Sequence, residues 1–367
     1  MAYIKLKTIC DIYDGTHKTP NYTTTGIKFV SVENITNLYA TEKYISEEDY
    51  NKYKVKPQIN DVLMTRIGTI GTCTVIEKNV PLAYYVSLAL LRPNTKILNS
   101  KYLKYYIESQ YGRKELYKRT LINAVPIKVN TGDIGKISIF VPPLEVQCEI
   151  VRILDNFTKY IALLEKELEL RKKQYAYYRD MLLNFSDEVE WWTLGKIADI
   201  NTGNSNTNEA EKNGIYPFFV RSQDMLFKNS YEYDETAIIT AGDGVGVGKV
   251  IHYFEGKYAL HQRAYRIHIH APEIIPKFYF YYMKATFYDY ISKKGFHSSV
   301  SSIRRPMLNE YPVPVPPLEE QKRIVEILDR FDRLCNDLTC GLPAEIDFRK
   351  RQYAYYRDKL LNFKGGF

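Results

Sequence analysis

Cysteine is scarce and unpatterned in this chain. Five residues are scattered along 367, and only Cys335 and Cys340 lie near each other, which argues for reduced thiols in a cytoplasm rather than a disulfide framework. Long apolar runs are missing too. The longest uncharged stretch, Val80 to Leu91, is about a dozen residues, too short to span a bilayer and expected to form a buried strand. The opening MAYIKLKTICDIYDG carries early charges and no apolar core, so no signal peptide is expected. Catalytic signatures are wanting as well. The glycine cluster at Gly244, Gly246 and Gly248 is followed by a β-like run and not by the Lys-Ser/Thr of a phosphate-binding loop, so its glycines are read as turns and bulges between antiparallel strands. No Ser-His-Asp or Cys-His arrangement stands out, and no Asn-Pro-Pro-Tyr type methyltransferase motif occurs. Asp243 with Glu255-Gly256-Lys257 has the loose spacing of a metal-dependent nuclease, but the first half of the chain has no counterpart. His268 and His270 share one face of a strand without a third ligand nearby, which reads as a surface pair rather than zinc. The chain is expected to perform no chemistry itself and to hold no metal.

What is present points elsewhere. Lys and Arg outnumber Asp and Glu by 51 to 43, and 33 tyrosines accompany them. Basic, hydrogen-bonding and stacking groups in one chain suit nucleic acid. A length of 367 residues with 45% hydrophobic content suggests two domains, each with a core.

The sequence is written twice. RKKQYAYYRDMLLNF at 171–185 returns as RKRQYAYYRDKLLNF at 349–363, and VPPLEVQCEIVRILDNF at 141–157 returns as VPPLEEQKRIVEILDRF at 315–331. Weaker matches keep the same order: LKTICDIYDG with LGKIADINTG, KFVSVEN with FFVRSQD, and KYLKYYI with KFYFYYM. The repeat is far longer than a solenoid unit of roughly 20–50 residues. The last third of each half is nearly duplicated, whereas the first 140 or so residues share only a hydrophobic skeleton. Copies that must meet the same partner stay alike, and copies that must read different things diverge.

Between Leu144 and Phe185 the apolar positions follow a heptad. Ile150, Leu154, Phe157, Ile161, Leu164 and Leu168 form a seam that Tyr175, Tyr178 and Leu182 continue. In the second copy Ile324, Leu328, Phe331, Cys335 and Leu338 repeat it, and Ile346, Tyr353 and Tyr356 resume it after an interruption expected at Gly341 and Pro343. The fold expected is mixed α+β: two globular α/β modules separated by two long helices packed as an antiparallel coiled coil, with an internal pseudo-twofold repeat. The boundaries expected are 1–143 for the first module, 144–186 for the first helix, 187–316 for the second module and 317–367 for the second helix. A coiled coil joining two chains is the alternative.

The modules carry turn-borne donors of the kind that read base edges or anchor phosphates. The candidates are His17, Lys18, Arg66 and Thr69 in the first module. In the second they are Gln223, Lys249, His261, Gln262, Arg263, Arg304 and Arg305.

The two copies of PPLxxQ followed by IV-x-ILD, together with the Tyr-rich segments, resemble the specificity subunits of type I restriction-modification enzymes. That resemblance covers the whole chain and implies a non-catalytic reader. Each module would recognise one half of a bipartite duplex site, and the helices would set the spacer between the halves. Two methylation subunits and two restriction subunits would be its partners, and they would bring S-adenosylmethionine, magnesium and ATP. Tyr175, Tyr178, Arg179, Tyr353, Tyr356 and Arg357, in the duplicated segments, would offer matched seats to identical partners. The competing classes are a coiled-coil interaction protein with no DNA role and the metal-dependent nuclease.

Overall fold

The computed structural model describes residues 2–186, 188–294 and 302–363. The chain divides into two compact units, residues 1–165 with 346–367 and residues 166–345. Both divisions fall inside helices, Leu144–Leu182 and Leu342–Leu360.

In the first unit Ala2–Lys5 pairs with Ser138–Val141. A four-stranded antiparallel sheet runs Cys10–Asp14, Leu88–Pro93, Val62–Thr65, Cys73–Val75, and a three-stranded one runs Tyr44–Ile45, Ile27–Val30, Leu82–Tyr84. The helices Ser100–Glu108 and Gln110–Tyr117 bury Tyr102, Leu103, Tyr106 and Leu116 with Val62, Met64, Ala89 and Leu91 of the sheet. The second unit has a similar frame, with one 19-residue helix, Pro276–Lys294, where the first has two, and with a different sheet. Its strand Ile251–Leu260 runs unbroken, pairing antiparallel with Tyr233–Ala241 and parallel with Tyr216–Phe219, so the strands make one six-stranded sheet. In the first unit the corresponding stretch is split into Cys73–Val75 and Leu82–Tyr84 by EKNVP, whose proline has no N–H for a ladder.

The run Val80 to Leu91 is therefore not one strand. It is two, Leu82–Tyr84 and Leu88–Pro93, joined by a tight turn in which the Leu88 amide donates to the Tyr85 carbonyl at 2.9 Å. The glycine reading holds: Gly71 (φ +85°) and Gly248 (φ +71°) sit in the turns, where a side chain would strike Leu116 and Ile291 on the covering helix of their own unit.

The helix Leu144–Leu182 has 39 residues, or roughly 60 Å at 1.5 Å per residue. Gln147, Ile150, Leu154, Ile161 and Leu164 are buried along its seam, and Phe157 and Leu168 are half-buried. The second copy is two helices, Leu318–Asn336 and Leu342–Leu360. Leu338 is a correction: it lies in the linker between them, 81% exposed, and belongs to no seam. The side chain of Asp337 accepts from the amides of Thr339 (2.7 Å) and Cys340 (3.2 Å), which turns the chain out of the helix before the heptad reaches Leu338.

The Tyr-rich segments are exchanged. Segment 349–363 completes the first unit: Leu361 is in its core, Phe363 stacks on Phe140 at 4.1 Å, Tyr356 stacks on Phe157 at 5.5 Å, and Tyr353 meets Tyr105 edge-on at 6.4 Å. Segment 171–185 completes the second: Leu183 is in its core, Tyr175 and Tyr178 stack on Phe331 at 5.9 and 5.7 Å, and Phe185 meets Phe278 at 5.9 Å. Within each unit the helix pair is antiparallel; Phe157 meets Tyr356 where Glu165 meets Lys350 (2.7 Å).

Replacing Leu361 or Leu183 by Ala should cost about 2–5 kcal/mol each. Both tryptophans, Trp191 and Trp192, belong to the second unit. Tryptophan fluorescence in a urea titration should therefore shift its midpoint for Leu183→Ala and hold it for Leu361→Ala, whose loss is read by circular dichroism.

Candidate nucleic-acid interface

The loops that carry the candidate residues meet at one end of each sheet, around a turn built the same way twice. In the first unit Tyr85 donates to the Val30 carbonyl, Val86 to Thr16, and Arg66 to Ser87; in the second His261 donates to Phe219, Gln262 to Ser205, and Gly242 to Arg263, all at 2.8–3.0 Å. Val129 donates to Arg66 at 2.9 Å just as Ile303 donates to Gly242 at 2.8 Å. These bonds fix the correspondence atom by atom. Val30 answers to Phe219, so KFVSVEN and FFVRSQD align one residue away from the match suggested by their letters, and Val32 stands where Arg221 does.

In the second unit the turn presents charge. Asp243, in the glycine loop, accepts from Arg221 Nη1 at 2.8 Å through one carboxylate oxygen and from Arg263 Nη1 at 3.0 Å through the other. Burial works against its charge, but the bonds from Arg221 and Arg263 outweigh it, and the carboxyl is held below its ordinary range. His261 is buried beneath this trio. Desolvation, then the Arg221 charge, lower its pKa, and its Nδ1 accepts from the Arg263 amide at 3.0 Å, so it is a neutral structural support and not an exposed reader. Gln262 reaches Asn206, Gln223 is exposed in the loop that holds Arg221, and Lys249 is exposed with its Nζ 5.2 Å from the Tyr288 ring centre. Arg304 and Arg305 are exposed and follow Ile303, which ties them to the base of the same loop.

The first unit arranges its charge differently. Arg66 is buried, with a side chain 7% exposed, where it pairs with Asp14 and donates from Nε to the Val129 carbonyl at 3.1 Å. It is a correction: this arginine fastens two loops from inside and has no surface to offer. His17 (3.5 Å from Asp14), Lys18 and Thr69 are exposed. Lys18 lines a cleft of about 550 Å³ with Asn21, Lys52, Tyr53 and Lys54.

The nuclease spacing does not close. Asp243 is occupied by two arginines, while Glu255 lies down the strand opposite Thr236 and Lys257 sits over the Tyr231 ring at 4.7 Å. His268 lies near Glu235 (3.4 Å) and the Thr236 carbonyl (3.0 Å). Among the described residues no group of three or more His, Cys, Asp or Glu could hold a metal ion, and no helix is long and apolar enough to cross a membrane.

A family model, the type I restriction modification DNA specificity domain, matches the chain twice, over residues 1–171 and 186–347. The chain belongs to the type I restriction-modification DNA specificity family. It is 38% identical over 243 residues to the specificity subunit of the Escherichia coli type I restriction enzyme EcoR124I/EcoR124II, a match spanning 60% of this chain and 60% of that relative. It is 30% identical over 298 residues to a putative type I specificity subunit of Mycoplasma pneumoniae, covering 75% of this chain and 85% of that one. In fold it resembles the S subunit of a type I restriction-modification system from M. genitalium, with a TM-score of 0.65, 15% identity, and 98% of this chain and 96% of that chain covered.

In this family member the tyrosines proposed from sequence as partner seats are largely used internally. Tyr175, Tyr178 and Tyr356 stack on aromatic rings of their own unit and Tyr353 meets Tyr105 edge-on, with Tyr356 still 38% exposed, and Arg179 and Arg357 pair with Asp180 and Asp358. The surface belongs instead to their neighbours Tyr177 and Tyr355, 66% and 61% exposed. Arg221 is not among the residues singled out from the sequence, although it lies just after the FFV stretch, and the ion pairs of Asp243 with Arg221 and Arg263 join residues 20 or more positions apart, beyond the reach of local spacing.

Arg66→Ala should cost about 3 kcal/mol, since it strands Asp14 and a buried carbonyl. Lys249→Ala should stay within about 0.5 kcal/mol of the parent. Urea titrations of the two variants check both.

Proposed function

We propose that this chain is a non-catalytic subunit that reads duplex DNA at a bipartite site, each unit's sheet-end loops recognising one half. The observation that carries the reading is the contrast between frame and loops. The two heads share the backbone bonds that hold the turn, yet differ in charge and shape at its exposed side, as two readers of unlike sequences must. Membership in the specificity family supports it. So do the relatives, which are named as specificity subunits of restriction enzymes. The continuous 39-residue helix contributes to both units, which supports its use as the element that sets the spacer. Two methylation subunits and, through them, two restriction subunits are the partners proposed. S-adenosylmethionine, magnesium and ATP belong to those subunits, and the complex works in the cytoplasm on chromosomal or entering DNA. The faces carrying Tyr177 and Tyr355 support docking of identical partners, because they are equivalent positions of the repeat.

A mobility-shift titration of random-sequence duplex, with and without the methylation subunits, tests the reading. Binding should fall steeply between about 50 and 200 mM salt, as phosphate contacts release counterions. Absent or salt-independent binding in both conditions overturns it and favours a coiled-coil protein without a DNA role.

The spacer has its own test. Inserting four helical residues between Glu165 and Lys166, and four between Glu345 and Ile346 within the helix Leu342–Leu360, lengthens each helix by about 6 Å. Methylation mapping should then return the same two half-sites with about one or two more base pairs between them. Changed half-site letters contradict the assignment.

A further inference from the structure

The second unit's turn holds a device that the first lacks, and the internal repeat makes the comparison controlled. The trio Arg221, Asp243 and Arg263 occupies the places filled in the first unit by Val32, Ile67 and Ser87, as the shared hydrogen bonds establish. There Ser87 merely accepts from the Val32 amide at 3.2 Å. Where one head is neutral, the other sets two arginines on a single carboxylate.

The geometry of that carboxylate matters. Asp243 engages one Nη1 from each arginine, and neither guanidinium has another hydrogen bond among the described residues. Each therefore keeps its Nε–Nη2 edge, two parallel N–H groups in a fixed fork. The two side chains are 43% and 62% exposed. The glycine loop is shaped for the arrangement. A Cβ on Gly246 would collide with the Arg221 carbonyl, so the glycine loop bearing Asp243 packs closely on the Arg221 segment where that position lacks a side chain.

We infer that Arg221 and Arg263 are the guanine-reading side chains of the second unit, with Asp243 as the residue that positions them. A fork of two N–H donors matches the O6 and N7 acceptors of guanine in the major groove. A carboxylate that pins the opposite side of the guanidinium removes the rotamer freedom an exposed arginine otherwise loses on binding. The half-site read by this unit accordingly contains guanine. The half-site of the first unit owes nothing to a matching pair of arginines. This inference deepens the proposed function and rests on it.

The test uses the full chain with its own methylation subunits. Methylation mapping first returns the wild-type bipartite motif, and competition binding with single-base variants then scores each position. Arg263→Gln and Arg221→Gln should each lower discrimination at a guanine position of one half-site about tenfold, leaving the other half-site untouched. Asp243→Asn should relax the same positions while the urea midpoint and the salt dependence stay near wild type, a pattern that a merely structural carboxylate would not produce. The intact half-site of the first unit shows in every variant that the protein is folded. Uniform weakening across all sequences with a shallower salt slope would make the arginines phosphate anchors and overturn the inference, as would half-sites without guanine at the affected positions. A wild-type complex with no bipartite motif would instead defeat the underlying function.

Discussion

Neither head can close its own core, and each is closed by a segment from the opposite copy of the repeat. Leu361 and Phe363 lie against Phe140 and the apolar face of the first unit; Leu183 and Phe185 do the same for the second. A substitution in segment 349–363 is felt by the head at the start of the chain, and one in segment 171–185 by the head that follows it. That reciprocity explains why the two segments are nearly identical. The receiving surfaces are duplicated as well, so Phe157 takes Tyr356 as Phe331 takes Tyr178. Two sockets of one shape keep two plugs of one shape.

Polar anchors beneath the aromatic stacks orient each helix on its head. Gln147 is wholly buried; its oxygen accepts from the Asn99 amide at 2.8 Å and its nitrogen donates to the carbonyls of Ile97 and Pro142. Gln321 repeats this with Ile275, Glu273 and Pro316. An amide that bridges three backbone groups at a helix start leaves no freedom of tilt, because any rotation strands a buried polar atom. Two turns further on, Asp155 joins Lys101 (2.9 Å) and Tyr105 (2.6 Å), and Asp329 joins Lys277 (2.8 Å) and Tyr281 (2.6 Å). The PPLxxQ and ILD letters are legible in the sequence as a motif; their cause is this pair of anchors.

The seam, the interruption near Gly341 and the glycine turns could be read directly, since heptads and turn residues are local signals. Leu338 could not, because the heptad continues on paper through an aspartate whose side chain turns the chain aside. The exchange of Tyr-rich segments was hidden for another reason: period and composition say that a surface is sticky but not which surface it meets. Arg66 and Arg263 are alike in sequence, each an arginine in a turn. Only the Asp14 beneath one and the Asp243 beside the other separate an internal fastener from an exposed side chain.

Exposed ion pairs add little to stability, with a median of about 0–1 kcal/mol, so the Arg221–Asp243–Arg263 bridge is poorly explained as a device for holding the second head together. The frame already does that through backbone bonds common to both heads, Gly242 to Arg263 as Arg66 to Ser87 and Ile303 to Gly242 as Val129 to Arg66. Stability is thus settled below the turn, by sheet, glutamine anchor and borrowed aromatic cap. The turn above is free to carry whatever charge its task requires. That separation is the physical condition under which two copies of one head can come to present different chemistry while remaining the same fold.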